Sequence, residues 1–381
     1  MTFSELGISD ILIEALKKQG ISTPTDVQAK TCKHIIDNRD MVISSSTGTG
    51  KTLSYLLPII NGLDYTSKSI QALILVPTQE LAIQVCKQAD LLFTNAGVTA
   101  SAQFLIGEGN INRQIDALKT KPVIVVGTPA RVAQLIQMKK LRVHDVKTLV
   151  LDEADKLMDK TYIESVSTIR KSLMKRTQVL LFSASIDKKT LKASNDLAFK
   201  AIHMNVTSDT SQETLIPKTI KHIFVVTDRR ERIETLRKIA KAIDNKKTLI
   251  FINTKYDLEE SLQKLEYHHY NVAALAGNID KQRKKNALDG FKNGKIEYLL
   301  ATDVAARGLQ IDNVETVINV NLPEDNKEYL HRAGRCGRNG NPGLCVSIIT
   351  ENELNKIKSL QKDFRININQ KRLYNGKLVA K

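Results

Sequence analysis

The sequence predicts an α/β protein of two tandem lobes, each a mostly parallel sheet with helices on both faces. Three observations predict this. Short, continuously apolar runs recur along the chain, each ending in a polar or turn-forming cluster, with helical periodicity between them; strands buried on both faces of a parallel sheet read in this way. The runs form two series of similar length on either side of a polar stretch, 206–214, that has no apolar period. The 381 residues are enough for two domains of ordinary size. The first lobe is assigned to residues 1–206, a linker to 207–217, and the second lobe, with a short basic tail, to 218–381.

Taken in order, the chain opens with a helix expected over 6–19. Ser9 can cap it, Ile8, Leu12, Ile13 and Leu16 share a face, and Gly20 ends it. Residues 20–25 read as a turn, and Asp26 starts a second helix. The first strand is the apolar run 41–43, which leads into Ser44-Ser45-Ser46-Thr47-Gly48-Thr49-Gly50-Lys51-Thr52 and then a helix from Leu53. Strand, small-residue loop, Gly-Lys-Thr and helix is the setting of a phosphate-binding loop. Small residues let backbone N–H groups turn inward onto phosphate oxygens, and the helix N-terminus favours negative charge. Lys51 can reach the outer phosphates, and the Thr52 hydroxyl can ligate Mg²⁺. Ser45 stands where the usual pattern has glycine, leaving Gly48 and Gly50 to supply flexibility. Read alone, the stretch is also compatible with a glycine-rich turn that only enters a helix.

Further first-lobe strands are expected at 72–76, 123–126, 148–151 and 179–182, and second-lobe strands at 222–226, 248–252, 272–275, 298–301, 316–320 and 344–349. Ligands of such sheets bind at the carboxyl ends of strands, where the polar clusters fall here. From Glu351 onward eight Lys/Arg face three Asp/Glu. Leu354, Ile357, Leu360 and Phe364 fit one face of a last helix packed on the second lobe. An RNA-gripping basic tail is the alternative.

Composition narrows the partners. The chain is 42% hydrophobic and 26% charged, as a globular protein with real cores should be. Its net charge of +16 points to a polyanion such as nucleic acid, although charge also aids solubility. Cys32, Cys86, Cys336 and Cys345 form no C-x-x-C pair, which argues against zinc and suits a reducing cytosol. His268-His269 has no ligand partner at metal spacing and reads as a solvated pair. No run is long enough for a transmembrane helix, so a cytoplasmic protein without membrane attachment is expected.

The run 148–151 delivers Asp152-Glu153-Ala154-Asp155 at its carboxyl end. Asp152 would hold Mg²⁺, mostly through water, and Glu153 would orient and deprotonate an attacking water. The competing reading, an acidic strand-to-helix turn, loses weight because the phosphate loop lies upstream in the same lobe.

Asp-Glu-Ala-Asp after a hydrophobic strand, with that loop before it, resembles the DEAD-box family of ATP-dependent RNA helicases. The resemblance covers roughly residues 3–350 through about ten motifs in the family's order. It implies two RecA-like lobes with ATP and Mg²⁺ as cofactors. Gly20, Pro24, Thr25 and Gln28 match the adenine-recognition motif, with Phe3 at a stacking position; a Gln amide can both donate to and accept from the adenine edge. Thr47, Gly48, Thr49, Gly50, Lys51 and Thr52 complete the ATP-binding set, with Thr52 and Asp152 toward the metal. Ser183-Ala184-Ser185 resembles the family's Ser-Ala-Thr and, with Asp155 and His331, implies coupling between ATP and RNA sites. Arg335 and Arg338 match the family's phosphate-facing arginines, which stabilise charge on the transferring phosphoryl group. They lie in the other lobe from Lys51 and Glu153, so catalysis implies lobe closure.

On the RNA side the resemblance assigns Pro77, Thr78, Thr128, Arg131, Thr254 and Thr302. It also shows departures. Gln79 replaces an Arg, Glu108 a Gly, Ala130 a Gly and Gln310 an Asp, while Lys281 and Lys284 stand for Gln and Arg. Fewer phosphate contacts imply weaker RNA binding and a shallower salt dependence. The expected activity is RNA-dependent ATP hydrolysis that locally unwinds RNA duplexes through backbone contacts without sequence readout. The expected form is a monomer, open to regulatory protein cofactors. The alternatives are an ATP-gated RNA clamp with little turnover, motivated by Gln79 and Glu108, and a DNA helicase of the same superfamily.

Overall fold

A computed structural model describes residues 1–45, 49–184, 186, 188–206, 219–243, 247–275, 279, 281–306, 311, 314–337 and 341–380. The chain divides into two compact units, Met1–Ser208 and Asp209–Lys381. The expected linker, 207–217, lies outside the described residues.

The first unit holds a sheet of β1 (Met41–Ser44), β2 (Ala72–Leu75), β3 (Ala102–Leu105), β4 (Ile124–Gly127), β5 (Thr148–Asp152), β6 (Gln178–Ser183) and β7 (Ile202–Asn205). All pair in parallel, in the order β3-β4-β2-β5-β6-β1-β7. Its helices are α1 (Asp10–Lys17), α2 (Asp26–Ile36), α3 (Lys51–Asn61), α4 (Gln79–Ala96), α5 (Ile111–Leu118), α6 (Pro129–Gln137), α7 (Ala154–Leu157), α8 (Ile163–Ser172) and α9 (Lys188–Leu197). Both faces of the sheet are covered. Successive strand residues point to opposite faces, and Met41, Ile43, Ile74 and Val150 join one apolar cluster while Val42, Leu73, Leu149 and Leu151 join another. This two-sided burial makes the central strands continuously apolar.

The second unit holds β8 (Ile220–Val226), β9 (Thr248–Phe251), β10 (Val272–Leu275), β11 (Tyr298–Ala301), β12 (Thr316–Asn319), β13 (Gly343–Ile349), β14 (Ile368–Tyr374) and β15 (Lys377–Ala380). Their order is β10-β11-β9-β12-β13-β8-β14-β15, parallel except for the β14–β15 hairpin. The helices are α10 (Arg232–Ile243), α11 (Lys255–Tyr267), α12 (Lys281–Lys292), α13 (Asp303–Ala306), α14 (Asn326–Ala333) and α15 (Leu354–Phe364). Leu249, Phe251 and Leu299 pack into one face, and Ile250, Leu300 and Ile318 into the other. The last helix is present, with Ile357, Leu360 and Phe364 buried on the first of these faces.

Three departures from the sequence reading have physical reasons. The first helix begins at Asp10, because residues 3–7 form turns ending in Gly7 with φ +82°. Strands β3 and β7 carry no continuous apolar signal because they are the two edges of their sheet and only half-buried. Residues after Phe364 are not simply a basic tail: β14 extends the sheet beside β8, and β15 folds back on it. Asn375 and Gly376 both have positive φ, at +46° and +72°, and form the two-residue turn that suits the right-handed twist of a hairpin.

Among the described residues no helix is long and apolar enough to cross a membrane. All four cysteines are free and buried, with the Cys32 thiol pushed up to about 12 by burial. His268 and His269 are exposed.

Leu360 is fully buried. Leu360→Ala is expected to destabilise the second unit by about 2–5 kcal/mol. Urea unfolding followed by a probe in each unit should show that transition moving while the first unit's stays in place.

Candidate functional site

In the first unit the candidate residues gather at the carboxyl ends of β1, β6 and β5, which lie side by side. The chain leaves β1 through Ser45, whose N–H donates to the Ser183 carbonyl at 3.0 Å. Lys51 opens α3, and its Nζ donates back to the Ser45 carbonyl at 2.8 Å. The Ser45 and Thr49 hydroxyls share a hydrogen bond of 2.7 Å. Serine in place of glycine at 45 therefore has a job: its side chain ties the two ends of the loop. Thr47 and Gly48 lie outside the described residues.

Gly50 caps α3 with φ +89°, and its carbonyl accepts from Gln28 Nε2 at 3.2 Å. A Cβ here would lie 2.6 Å from that nitrogen, so both conformation and space demand glycine. Gln28 Oε1 accepts from the Thr25 N–H at 2.9 Å, closing a capping box on α2. Gln28 is thus a brace between α2 and the phosphate loop, only 2% exposed, with one N–H and one lone pair remaining for a ligand. Phe3 departs from expectation. It is 2% exposed and packed in the core with Leu6 and Ile8, so it presents no open ring face for stacking.

Asp152 ends β5 at 5% exposure. Its Oδ2 accepts from the Tyr55 hydroxyl and its Oδ1 from the Glu153 N–H, both at 2.9 Å. Burial raises its pKa, and the Lys51 ammonium opposes that rise. Burial likewise lowers the Lys51 pKa, opposed first by Asp152. Tyr55, fully buried against Phe182, is driven well above the ordinary phenol range by burial, so it stays a donor. Glu153 sits in the left-handed region at φ +54°, ψ +50°, a conformation that non-glycine residues adopt at a cost and that concentrates at functional sites. Its carboxylate pairs with Lys156 Nζ at 2.9 Å. Asp155 accepts from the Ser183 hydroxyl at 2.7 Å, which joins the acidic motif to Ser183-Ala184; Ser185 lies outside the described residues. Sequence reasoning missed Tyr55 and Lys156. The available signal was spacing: Tyr55 is one helical turn after Lys51, and Lys156 is three residues after Glu153.

A magnesium ion keeps several waters and needs only one or two protein oxygens. One hydroxyl, from Thr52, and one buried but braced carboxylate, from Asp152, fit that requirement. Among the described residues no group of three His, Cys, Asp or Glu forms an all-protein metal cage.

The expected RNA-facing residues of this unit divide in two. Thr78 caps α4, its hydroxyl accepting from the Leu81 N–H at 3.3 Å, and Gln79 is the first helical residue. Thr128 precedes α6, and its hydroxyl makes no cap bond. Pro77 is buried, its carbonyl accepting from the Tyr162 hydroxyl at 3.3 Å. Arg131 departs from the expected contact role. It is 8% exposed, and its guanidinium donates to the carbonyls of Gly107 at 2.5 Å and Gly109 at 3.1 Å. It fixes the loop that exposes Glu108 rather than offering its own charge to a ligand.

In the second unit Thr254 caps α11, accepting from the Asp257 N–H at 3.1 Å, and the Thr302 hydroxyl accepts from the Ala305 N–H at 3.3 Å. Both follow strand carboxyl ends, of β9 and β11. The residue that holds these loops is Arg332, the neighbour of His331 and a residue to which the sequence assigned no role. At 1% exposure it donates through Nε and Nη2 to both Asp303 oxygens at 2.6 Å. Its other N–H groups reach Asn319 Oδ1 at 3.1 Å, the Asn321 carbonyl at 2.7 Å and Asn253 Oδ1 at 2.8 Å, and the guanidinium lies over the Phe251 ring. All five donors of the fork are used. His331 meets Glu328 at 3.4 Å, and Arg335 lies in the turn after α14. Arg338 and Gln310 lie outside the described residues.

Residues 25–194 match the family described as DEAD/DEAH box helicase, and residues 231–340 match the helicase conserved C-terminal domain. The chain is 36% identical to the DEAD-box ATP-dependent RNA helicase CshC of Bacillus cereus, over 97% of this chain and 92% of the relative. It is 35% identical to the probable ATP-dependent RNA helicase YfmL of Bacillus subtilis, over 95% of this chain and 94% of that protein. Among solved structures it is similar to S. cerevisiae Dbp5 bound to RNA and ADP BeF3, with a TM-score of 0.87 and 26% identity over 97% of this chain and 95% of that one. It is also similar to Mss116p bound to ssRNA and AMP-PNP, with a TM-score of 0.86 and 26% identity over 97% and 78% of the two chains.

Arg332→Met should destabilise the second unit by about 1–3 kcal/mol, because the half-buried Asp303 and the buried Asn319 amide lose their charged donor. Arg332→Lys should fail to restore stability, since an ammonium cannot reproduce the planar five-donor fork. Thermal unfolding of both variants checks this.

Proposed function

The chain belongs to the DEAD-box family of ATP-dependent RNA helicases, and from that premise we propose that its two RecA-like lobes close on ATP and RNA together and use ATP hydrolysis to unwind short RNA duplexes locally. The observation that carries the reading is the buried Asp152, braced by Tyr55 and the Glu153 N–H and electrostatically matched to Lys51. A metal-bound triphosphate at the phosphate loop would meet this carboxylate and this ammonium together.

In this reading Gln28 reads the adenine edge with its remaining N–H and lone pair, while Thr49, Gly50 and Lys51 hold the phosphates. Thr52 and Asp152 hold Mg²⁺, which when bound neutralises charge on the outer phosphates. Glu153, fixed in its left-handed conformation, orients the attacking water and takes its proton. Arg335 and Arg338 of the second lobe stabilise the transferring phosphoryl group once the lobes close. Ser183 and Asp155, with Ser185 and His331, pass the state of the ATP site to the RNA site. RNA is held by its backbone at Thr78, Thr128, Thr254 and Thr302, without sequence readout. The domain limits 1–206, 207–217 and 218–381, a monomeric state, a cytoplasmic location and protein cofactors that supply specificity complete the proposal.

A second reading, an ATP-gated clamp with little turnover, draws support from one observation: the first lobe's RNA side exposes Glu108, carries Gln79, and turns Arg131 inward. ATPase assays with and without RNA separate the two readings. On the helicase reading, Glu153→Gln lowers RNA-stimulated kcat by about 10²–10⁴ while ATP binding persists, and Lys51→Ala loses ATP binding. RNA-independent turnover that Glu153→Gln leaves unchanged would refute the mechanism. Gln79→Arg should raise RNA affinity and steepen its salt slope by about one unit, measured as affinity against salt concentration.

A further inference from the structure

The C-terminal hairpin is not absorbed by the reading above. From Arg365 to Lys381 the chain carries five basic residues (Arg365, Lys371, Arg372, Lys377 and Lys381) and no acidic one. The hairpin's two faces differ. Leu373 and Leu378, paired across the strands, pack against the apolar cluster that includes Leu236 and Ile239 of α10. Alternation then sends Arg372 and Tyr374 to the opposite face, where Tyr374 pairs with Lys377. Tyr374 is 59% exposed, and the Arg372 guanidinium lies 5.7 Å from its ring centre. The result is an exposed ring flanked by two cations.

Edge protection does not account for this. Lysine on an edge strand blocks pairing with other chains, and Lys377 on β15 serves that purpose. Arg372 and Tyr374, however, lie past the end of the β8 pairing at Lys371 and pair with β15 alone, and blocking an edge there would not call for an exposed aromatic ring. A basic, aromatic face is the composition that grips single-stranded nucleic acid, with cations tracking phosphates and the ring stacking on a base.

Position supports the same partner. β14 runs parallel to β8 and, through β13 and β12, to β9 and β11. Arg372 and Tyr374 therefore emerge at the carboxyl edge of the sheet, the edge that also presents Thr254 and Thr302. Four strand spacings separate β14 from β9, about 19 Å. A strand seated at Thr254 would need only a short single-stranded extension to arrive there.

We propose that Arg372, Tyr374 and Lys377 form an accessory single-stranded RNA-binding surface that engages RNA flanking the segment held by the helicase core. The inference rests on the helicase reading. Its test is RNA affinity of the full-length chain, by fluorescence anisotropy, for a strand short enough to fill only the core site and for one several times longer. The Arg372→Ser, Tyr374→Ala double variant should lose about tenfold in affinity for the long strand and show a shallower salt dependence, with short-strand affinity unchanged. Tyr374→Phe, which keeps the ring, should bind the long strand as the wild type does. Undiminished long-strand binding by the double variant, or an equal loss for both strands, would overturn the inference. Failure of the wild type to bind either strand would overturn both the inference and the helicase reading beneath it.

Discussion

Burial favours the neutral acid at Asp152, and the first lobe sets groups around it that oppose that pull. Lys51 has the converse problem, an ammonium whose charge burial also disfavours. Each opposes the effect of burial on the other. For Lys51 to occupy that position, α3 must begin at Gly50, which needs a left-handed glycine with no Cβ against Gln28. One turn later the same helix delivers Tyr55 to the other side of the Asp152 carboxylate. The Gln28 brace, the loop after β1, the helix and the acidic strand end are therefore one mechanical unit. Disturbing Gln28 or Gly50 acts on Asp152 through Lys51.

The second lobe solves a related problem with the opposite sign. Arg332 is a buried cation whose five donors end on a carboxylate, two side-chain amides and a backbone carbonyl, drawn from the ends of β9 and β12 and the start of α13. A guanidinium suits this role because its fork is planar and permanently charged. Thr254 and Thr302 lie on the loops that Arg332 ties, so their relative placement depends on a residue that would touch neither ATP nor RNA. In the sequence Arg332 stands three positions before Arg335, yet the fold buries it.

That distinction explains what the sequence could and could not convey. The phosphate loop and the acidic motif are legible because each is contiguous and each has its chemistry in its residue types. The sheet order of either lobe is less legible, but its central strands are clear because two-sided burial leaves an unbroken apolar run. β3, β7 and β14 escape because edge or near-edge strands alternate polar and apolar residues, although Asn375-Gly376 announces the hairpin to anyone testing for a two-residue turn. Tyr55, Lys156 and Arg332 escape for another reason: their roles come from a partner's position in space, which motif spacing does not encode. Phe3 and Arg131 show the converse relation. Both occupy motif positions, and both point into protein.

The inward turn of Arg131 bears on how such a chain, at +16, would hold RNA. Affinity driven by phosphate neutralisation rises with the number of cations facing the backbone and falls steeply with salt. The first lobe's expected RNA side offers instead Thr78 and Thr128 at the starts of α4 and α6, and the second lobe offers Thr254 at the start of α11. Helix N-termini attract phosphate through N–H groups and the helix dipole, with no side-chain charge. Such contacts act within the first turn of a helix and so depend closely on how the phosphate is oriented. A grip of that kind suits an ATP-driven cycle better than a strongly cationic groove, which would hold RNA in every state. The surplus of positive charge is then free to act away from the core, where it can retain RNA without resisting release at the site of unwinding.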